Sequence, residues 1–255
     1  LLMKMPGVGK KVKKRICEQV YQAFGGNLYE VIIGGAALNQ EIESFLKDID
    51  FPFTVGYGAT ECAPIITYSD WHDFVPMSCG REVVHMEVKI DSENPETVPG
   101  EILARGLNVM LGYYKNDEAT AQTIDKDGWY HTGDLGLMDK GGNVFIKGRS
   151  KNMLLGPNGQ NIYPEEIEDK LNSMTFAMES VVVQRDGKLV GLVHPDFDEV
   201  QAMGLSRDDL QSLMEENRVQ VNANLPVYCK IAAIEIHDEE FEKTPKKSIK
   251  RYLYK

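Results

Sequence analysis

Three neighbouring segments decide how this chain is organised: DGWYHTGDLG (residues 127–136), FIKGRSKNML (145–154) and NGQNIYPEEIE (158–168). In the first segment, Asp134 offers a carboxylate whose two oxygens suit a vicinal diol such as that of a ribose. In the second, Arg149 offers a guanidinium, whose fork of N–H donors matches carboxylate or phosphate oxygens. Lys151 follows, and the third segment is a glycine-bearing loop that opens a helix. This order predicts a nucleotide site next to a charged joint, and we place a domain boundary at residues 150–152.

The composition is that of an ordinary globular protein. The chain has 255 residues, of which 42% are hydrophobic and 26% charged, enough for one large or two moderate domains. Its formal net charge of -11 argues against a protein that grips nucleic acid, because that task requires a concentrated positive field. Basic residues cluster at 10–15 and 243–251, and we interpret both clusters as solvated helix faces and tails.

The cysteines and histidines lack the spacing of disulfide or metal sites. The four cysteines form no CxxC pair, and the five histidines show no ligand spacing. Neither a leading signal segment nor a long apolar span is present. We therefore expect a reducing, cytoplasmic setting and no structural zinc. The chain begins Leu-Leu-Met, which is typical of an excised piece or of a processed amino terminus.

The first part of the chain has the pattern of an α/β layer. A β-branched run at 28–33 ends in two glycines, and residues 39–49 carry apolar side chains at helical spacing, with Asn39 as the predicted cap. FPFTVGYG (51–58) predicts a second buried strand, parallel to the first. Over residues 80–149, alternating runs separated by turns predict antiparallel hairpins.

Beyond residue 149 the pattern changes to that of a small α+β domain. The predicted elements are a helix over 164–174, a hairpin over 177–195, a helix from 206 onward and a strand over 230–237. Pro164 suits a first helical position, and Ser206 with Asp209 resembles a capping box. The predicted fold class is therefore α/β and α+β: a parallel α/β layer with an antiparallel β subdomain, followed by a small α+β carboxy-terminal domain.

The amino-terminal GVGKK (7–11) does not qualify as a phosphate loop. The pattern GxxxxGK followed by Ser or Thr would require glycine at Lys4 and a hydroxyl residue at Lys11. We interpret the segment as a turn before a basic helix over residues 10–24.

GYGATE (56–61) is a stronger candidate, because ligands gather where buried parallel strands end. Its glycines let the backbone approach a ligand closely. Thr60 offers a hydroxyl to a phosphate oxygen, and Glu61 offers a carboxylate of the kind that Mg²⁺ takes beside waters and phosphates. Taken alone, this Thr-Glu pair is equally typical of a helix cap. Residues 34–37 also end a strand, so the two loops are predicted to be neighbouring walls of one pocket.

In combination, six segments resemble the signatures of the adenylate-forming superfamily, which includes acyl-CoA synthetases, luciferases and peptide-synthetase adenylation domains. They are GGAAL (34–38), GYGATE, GEILARGLNVMLGYYKN (100–116), DGWYHTGDLG, GRSKNML (148–154) and NGQNIYPEEIE. The resemblance extends over about residues 34–251. EKTPKKSIKRYLY (242–254) and GYYKN (112–116) are most similar to bacterial long-chain fatty acyl-CoA synthetases. The resemblance implies that residues 1–149 end the large AMP-binding domain, 150–152 form its hinge and 153–255 form the small mobile domain.

The resemblance also implies roles for the residues of the two loops. Gly35, Ala36 and Ala37 would line the adenine. Tyr57 would stack near the adenine, with Gly58 and Ala59 beside it. Thr60 would contact phosphate and Glu61 would help to hold Mg²⁺.

Further roles follow for residues around the predicted boundary. Asp134 would bind both ribose hydroxyls, and Arg149 would add a second ribose or phosphate contact. Lys151 matches the hinge residue, whose backbone rotates between adenylation and thioester formation. Gly159 matches the loop that approaches the pantetheine arm of coenzyme A.

The last signature departs from the family pattern, which is TPxGKxxR-like with a lysine that neutralises charge during adenylation. Here Ser248 stands at the lysine position and Lys247 where glycine is usual. Either Lys247 or Lys246 supplies the charge, or the adenylation half-reaction is weakened. The family's earlier Ser/Thr/Gly-rich phosphate loop is not found in these 255 residues, so we expect the chain as given to be poorly active or inactive.

These features predict a fragment of an acyl-CoA synthetase, an AMP-forming long-chain fatty acid–CoA ligase. The parent would use ATP, Mg²⁺ and coenzyme A to convert a fatty acid to its acyl-adenylate and then to its thioester. One alternative is a non-catalytic nucleotide-binding or interaction module, and another is an adenylation enzyme that serves an acyl carrier protein. The predicted partners are small molecules and not nucleic acid; acyl chain length, membrane contact of the parent and oligomeric state stay open.

Overall fold

The computed structural model describes residues 9–245 and 247–254, which form two compact units that meet between Lys147 and Gly148. The predicted turn at residues 7–8 lies outside the described residues, and the basic helix that follows begins at Gly9. Within the described part of the chain, no helix has both the length and the apolar character that crossing a membrane requires.

The first unit contains α1 (Gly9–Ala23), β1 (Val31–Ile33), α2 (Gln40–Asp48), β2 (Phe53–Val55), β3 (Tyr57–Gly58), β4 (Ile65–Tyr68), β5 (Arg81–Glu82), β6 (Met86–Asp91), β7 (Gly100–Gly106), α3 (Asp117–Thr123), β8 (Tyr130–Met138) and the start of β9 (Val144–Arg149). The predicted parallel pairing is confirmed between β1 and β2. Asn39 caps α2 by accepting hydrogen bonds from the backbone N of Glu41 and Ile42, as predicted. FPFTVGYG is not one strand: it divides at Gly56, and β3 pairs antiparallel with β4.

The antiparallel part of this unit is a four-stranded sheet in the order β6-β7-β8-β9. Side chains of β6 alternate between buried and exposed, so that Met86, Val88 and Ile90 join the core. The pairing of β7 with β8 is interrupted, because Glu101 faces Leu135 and Leu103 faces His131. Three residues of β8 therefore lie opposite one residue of β7, and this bulge includes Asp134.

The second unit contains β10 (Leu154–Leu155), β11 (Asn161–Ile162), α4 (Pro164–Asn172), β12 (Ala177–Arg185), β13 (Lys188–Pro195), α5 (Phe197–Ala202), α6 (Arg207–Ala223) and β14 (Ile231–Ile236). The predicted hairpin is confirmed in β12 and β13, and β14 joins β13 in parallel. The capping box of α6 is confirmed between Ser206 and Asp209. Helix α4 ends two residues earlier than predicted, with Ser173 as its C-cap.

The three-stranded sheet of the second unit is covered on both faces. One face packs against α4 and α6 through a core that includes Ile167, Leu171 and Met214. The other face packs against the carboxy-terminal segment, where Phe241 is 2% exposed and contacts a cluster that includes Val181 and Val190. The carboxy-terminal signature is thereby attached to the sheet.

Candidate functional site

A hydrogen bond between Tyr57 and Asp134 joins two of the predicted nucleotide-binding segments. The Tyr57 hydroxyl donates to Asp134 Oδ2 over 2.7 Å, although the two residues are 77 positions apart. Each side chain is 8% exposed. The sequence predicted both residues as ligands of one nucleotide but not this bond, which sets the direction of the carboxylate.

The bulge in β8 determines how Asp134 is presented. Thr132 donates its hydroxyl to the Ile102 carbonyl oxygen (2.7 Å) and accepts from the Asp134 backbone N (3.0 Å). Between them Gly133 has φ +71°, a left-handed conformation that glycine adopts without a steric penalty. Bulges of this kind re-aim side chains next to functional sites. The three residues opposite Ile102 therefore set the direction of the Asp134 carboxylate.

Glu61 follows β3 in a 3₁₀ turn, Thr60–Cys62. The alternative of a helix cap is wrong for this pair, because Ala59 occupies the cap position and no side chain caps the turn. The Tyr113 hydroxyl donates to Glu61 Oε1 over 3.0 Å. Burial and this hydrogen bond raise the pKa of Tyr113, and burial followed by the charge of Glu61 raises the pKa of Tyr130. The carboxylate thus lies beside two tyrosines.

The segment before Tyr113 braces the Glu61 turn from its backbone side. Met110 donates its backbone N to the Glu61 carbonyl oxygen (2.7 Å). Asn108 Nδ2 donates to the carbonyl oxygens of Cys62 (2.6 Å) and Ile65 (3.1 Å). These residues lie within the signature GEILARGLNVMLGYYKN, but their residue types alone do not predict contact with the Glu61 turn.

The two glycine-bearing loops adjoin one another. Gly56 donates its backbone N to the Ile33 carbonyl oxygen (2.9 Å), and a Cβ on Gly34 would lie 3.1 Å from the Gly56 carbonyl oxygen. Gly35, Ala36 and Ala37 are exposed immediately after β1. Gly58 serves the fold as well, because a Cβ there would lie 2.0 Å from the Pro64 carbonyl oxygen.

Arg149, Lys151 and Gly159 all belong to the second unit. Arg149 and Lys151 are exposed, and Lys151 lies in a 3₁₀ turn, Ser150–Asn152. Asn152 Nδ2 ties that turn to α4 by donating to Glu165 Oε1 (2.7 Å). Gly159 has φ +81° with open space around its Cα, so the turn geometry rather than crowding calls for glycine.

Lys247 lies at the turn of a short hairpin closed by an antiparallel bridge between Lys243 and Ile249. Its backbone N donates to the Thr244 carbonyl oxygen (2.8 Å), and its φ is +60°. This left-handed conformation explains why glycine would be usual at the position. The Lys247 side chain is exposed, whereas Lys246 lies outside the described residues.

A buried ion pair holds this carboxy-terminal segment to α4. Arg251 Nη2 contacts Glu168 Oε2, and the Val182 backbone N donates to Glu168 Oε1 over 2.6 Å. Burial raises the pKa of Glu168 to about 7, although Arg251 and the Val182 hydrogen bond oppose the shift. Glu168 and Arg251 belong to two different signature segments, and no sequence pattern relates them.

Comparison with known proteins agrees with this geometry. Residues 3–114, which include the first two loops, match the family described as AMP-binding enzyme. The chain belongs to the adenylate-forming superfamily. The chain covers only part of the length of the superfamily relatives that it matches.

Three relatives within this superfamily illustrate the coverage. A long-chain-fatty-acid–CoA ligase of Escherichia coli is 37% identical over 178 residues, which are 68% of this chain and 28% of that protein. A 4-coumarate–CoA ligase 1 of Glycine max is 38% identical over 177 residues, which are 64% of this chain and 60% of that protein. O-succinylbenzoate coenzyme A synthetase of Bacillus subtilis, solved with AMP, shares the fold with a TM-score of 0.73 at 21% identity, over 95% of this chain and 49% of its own. The chain thus spans less than two thirds of each.

Proposed function

We propose that this chain is the carboxy-terminal part of an acyl-CoA synthetase that activates a fatty acid with ATP and passes the acyl group to coenzyme A. In the first step a carboxylate oxygen of the acid attacks the α-phosphorus of ATP, and pyrophosphate leaves. In the second step the sulfur of coenzyme A attacks the acyl carbonyl carbon, and AMP leaves. The observation that carries the proposal is the buried bond between Tyr57 and Asp134, which joins two signature segments at one place.

The first unit would hold the nucleotide. Asp134 accepts hydrogen bonds from both ribose hydroxyls while Tyr57 orients its carboxylate and stacks near the adenine. The exposed loop of Gly35, Ala36 and Ala37 forms the adenine wall, and it adjoins GYGATE through the contact of Gly34 with Gly56. Thr60 contacts a phosphate oxygen from the turn that follows β3.

Glu61 is the residue proposed to hold Mg²⁺. No group of three or more His, Cys, Asp or Glu side chains in the described ranges could hold a metal ion, so an all-protein cage does not form there. A single carboxylate fits Mg²⁺, which keeps several waters and binds substrate phosphates. Tyr113 orients this carboxylate. When bound, the ion would neutralise charge on the phosphate oxygens.

Lys247 is proposed to supply the positive charge near the reacting carboxylate and α-phosphate. Its side chain is exposed at the hairpin turn, and Ser248 at the usual lysine position carries no charge. A cation held in place before the reaction stabilises charge that develops in the transition state. The ion pair of Arg251 with Glu168 holds the base of this hairpin.

The second unit is proposed to be the small mobile domain, residues 153–255, joined through a hinge at 150–152 to the AMP-binding domain, 1–149. The observed boundary between the units lies two residues before that hinge, which supports the assignment. Lys151 is exposed there, so its charge stays solvated during a rotation. Arg149 would contact ribose or phosphate, and the Gly159 loop would approach pantetheine.

The acid is proposed to be a fatty acid because EKTPKKSIKRYLY resembles the long-chain enzymes, and one relative bears that name. Another relative is named for 4-coumarate, so the test must include aromatic acids. A cytoplasmic location and small-molecule partners complete the proposal. The rival is a non-catalytic nucleotide-binding module, which the uncharged Ser248 favours; an enzyme that serves an acyl carrier protein is the second rival.

The parent protein should catalyse acid-dependent exchange between ATP and radiolabelled pyrophosphate. We expect exchange with fatty acids above that with 4-coumarate, and thioester formation with coenzyme A above that with a phosphopantetheinylated carrier protein. Lys247→Ala should abolish most exchange yet leave AMP binding unchanged, with Lys188→Ala as a matched exposed-lysine control on β13. Exchange with none of the acids would overturn the synthetase proposal and leave the non-catalytic module.

Lys151→Pro should separate the two half-reactions of the parent protein. Proline removes a backbone N–H and locks φ, so it restricts rotation at the proposed hinge without adding a charge to the nucleotide site. We expect pyrophosphate exchange to continue and thioester formation to fall by at least about 100-fold, the scale of a misplaced reacting group. Lys151→Ala, which keeps a rotatable backbone, is the control. Equal loss of both half-reactions would contradict the hinge assignment.

A further inference from the structure

The bulge of β8 contains backbone groups that need hydrogen-bond partners outside the regular ladder. In a regular antiparallel ladder, Gly133 would lie opposite a residue of β7 and use its backbone groups for pairing. Here Thr132, Gly133 and Asp134 share a single opposite residue, Ile102. Their backbone groups need other partners, because unpaired groups at a half-buried site destabilise the conformation. Whatever supplies these partners also sets the direction of Asp134.

The Glu101 side chain of β7 supplies one of these partners. Its Oε1 accepts a hydrogen bond from the Gly133 backbone N over 2.9 Å. Its Oε2 lies 2.9 Å from Nδ1 of His131. One carboxylate therefore contacts both the residue before Thr132 and the residue after it.

His131 in turn has a second acidic neighbour. Its Nε2 lies 3.6 Å from Asp125 Oδ2, in the loop before β8. The hydrogen bond that the Glu101 carboxylate accepts from the His131 ring is the main cause that raises the pKa of His131, and the charge of Asp125 adds to it. Asp125 is itself fixed, because its Oδ1 accepts hydrogen bonds from the backbone N of Asp127 and of Trp129, each at a distance of 2.9 Å. The Glu101 carboxylate thus contacts a histidine ring whose other nitrogen lies beside a second, backbone-anchored carboxylate.

We infer that Glu101 is a positioning residue for Asp134: it holds the Gly133 peptide so that the Asp134 carboxylate faces the two ribose hydroxyls of the nucleotide. The inference rests on the proposed function, in which Asp134 binds the ribose. Glu101 acts only through Gly133 and His131 and does not contact the nucleotide. Loss of its carboxylate frees the Gly133 peptide to rotate, which turns the following carboxylate away from the diol.

Glutamine and alanine at position 101 separate this role from a general contribution to folding. Glu101→Gln keeps an oxygen that accepts from the Gly133 N–H, although it loses the charge next to His131. Glu101→Ala removes both interactions. The matched control is Glu87→Gln on the neighbouring strand β6, an exposed glutamate whose cross-strand partner is Arg105.

The test measures binding of AMP and of 2′,3′-dideoxy-AMP to the 255-residue chain by titration calorimetry, with thermal unfolding as the check on folding. We expect Glu101→Ala to weaken AMP binding about tenfold, as expected for one misplaced hydrogen-bonding group, and to leave the dideoxy analogue unchanged. The AMP affinity of Glu101→Gln should stay within about threefold of that of the unaltered 255-residue chain, and the AMP affinity of Glu87→Gln should be unchanged. In an Asp134→Ala background, Glu101→Ala should have no further effect.

Three outcomes would overturn the inference, and a fourth would overturn the function on which it rests. If Glu101→Ala weakens AMP and the dideoxy analogue equally, or if it adds to Asp134→Ala, Glu101 does not act through Asp134. If Asp134→Ala removes the preference for AMP over the dideoxy analogue but Glu101→Ala leaves that preference intact, the inference fails while the ribose role of Asp134 stands. If the unaltered chain binds the two nucleotides equally, the ribose assignment of Asp134 fails.

Discussion

Arg251→Ala is expected to lower the free energy of unfolding of the second unit by about 3–5 kcal/mol, the usual cost of removing one member of a buried ion pair. The substitution leaves the Glu168 carboxylate, whose side chain is 8% exposed, without the guanidinium that contacts it. Urea unfolding followed by circular dichroism measures the effect. Lys243→Ala is the matched control from the same segment, because its partner Glu179 is partly exposed (27%) and such pairs contribute about 1 kcal/mol or less.

The loss should depend on pH in a defined direction. The pKa of Glu168 in the folded chain, about 7, is above its ordinary value of 4.5, so the folded state binds this proton more tightly than the unfolded state. The corresponding contribution to stability is fully present below pH 4.5 and is lost as the pH rises toward 7. Without Arg251 the pKa rises further and the loss continues above pH 7. Arg251→Ala should therefore lower the free energy of unfolding more at about pH 8 than at about pH 6, which lie on either side of that pKa.

Adding Glu168→Gln to Arg251→Ala should remove this pH dependence, because glutamine does not titrate and can still accept from the Val182 N–H. An Arg251→Ala effect equal to that of Lys243→Ala would refute a stabilising role for the buried pair. A pH-independent effect would refute the titration of Glu168 as its cause.

Asp134→Ala is expected to weaken AMP binding to the chain by about 100-fold or more. The estimate corresponds to two hydrogen bonds to a charged acceptor, each contributing about 1.5 kcal/mol. Tyr57→Phe should cost about tenfold, because it removes one hydrogen bond to Asp134 and keeps the ring that stacks near the adenine. Titration calorimetry with AMP measures both.

The control for Asp134 is Asp91→Ala, an exposed aspartate on β6 of the same sheet. It should leave AMP binding unchanged, since it alters the net charge equally without touching the bulge. Similar losses for the two aspartates would indicate a long-range charge effect and contradict the ribose role of Asp134. An unchanged affinity in Asp134→Ala would contradict it directly.

The elements that the sequence predicted well are those with local causes. The Asn39 cap, the Ser206 capping box and the turn glycines act over a few residues, so their residue types and spacing suffice. The parallel pairing of β1 and β2 also followed from a strand–helix–strand order. The ends of elements were less accurate, as the division of FPFTVGYG at Gly56 illustrates, because antiparallel pairing with β4 decides where β3 begins.

The partners of the site residues could not be predicted, because they are distant in sequence. Tyr113 lies 52 positions from Glu61, and Arg251 lies 83 positions from Glu168. No periodicity or cap signal relates such residues, and each pair forms only when strands from different parts of the chain assemble. The bulge at Asp134 belongs to the same class, since it exists only relative to β7.

By itself the sequence determined which functional groups are available and in what order: a carboxylate suited to a vicinal diol at Asp134, a carboxylate suited to Mg²⁺ at Glu61 and a charged residue at Lys151, in an order that resembles one superfamily. These follow from residue type and order, which are properties of the chain. Only the tertiary structure decided how these groups are held: Tyr57 and the β8 bulge direct Asp134, Tyr113 faces Glu61, and Glu168 retains Arg251. The physical reason is that hydrogen bonds and ion pairs depend on distances of about 3 Å, and folding alone brings remote residues that close.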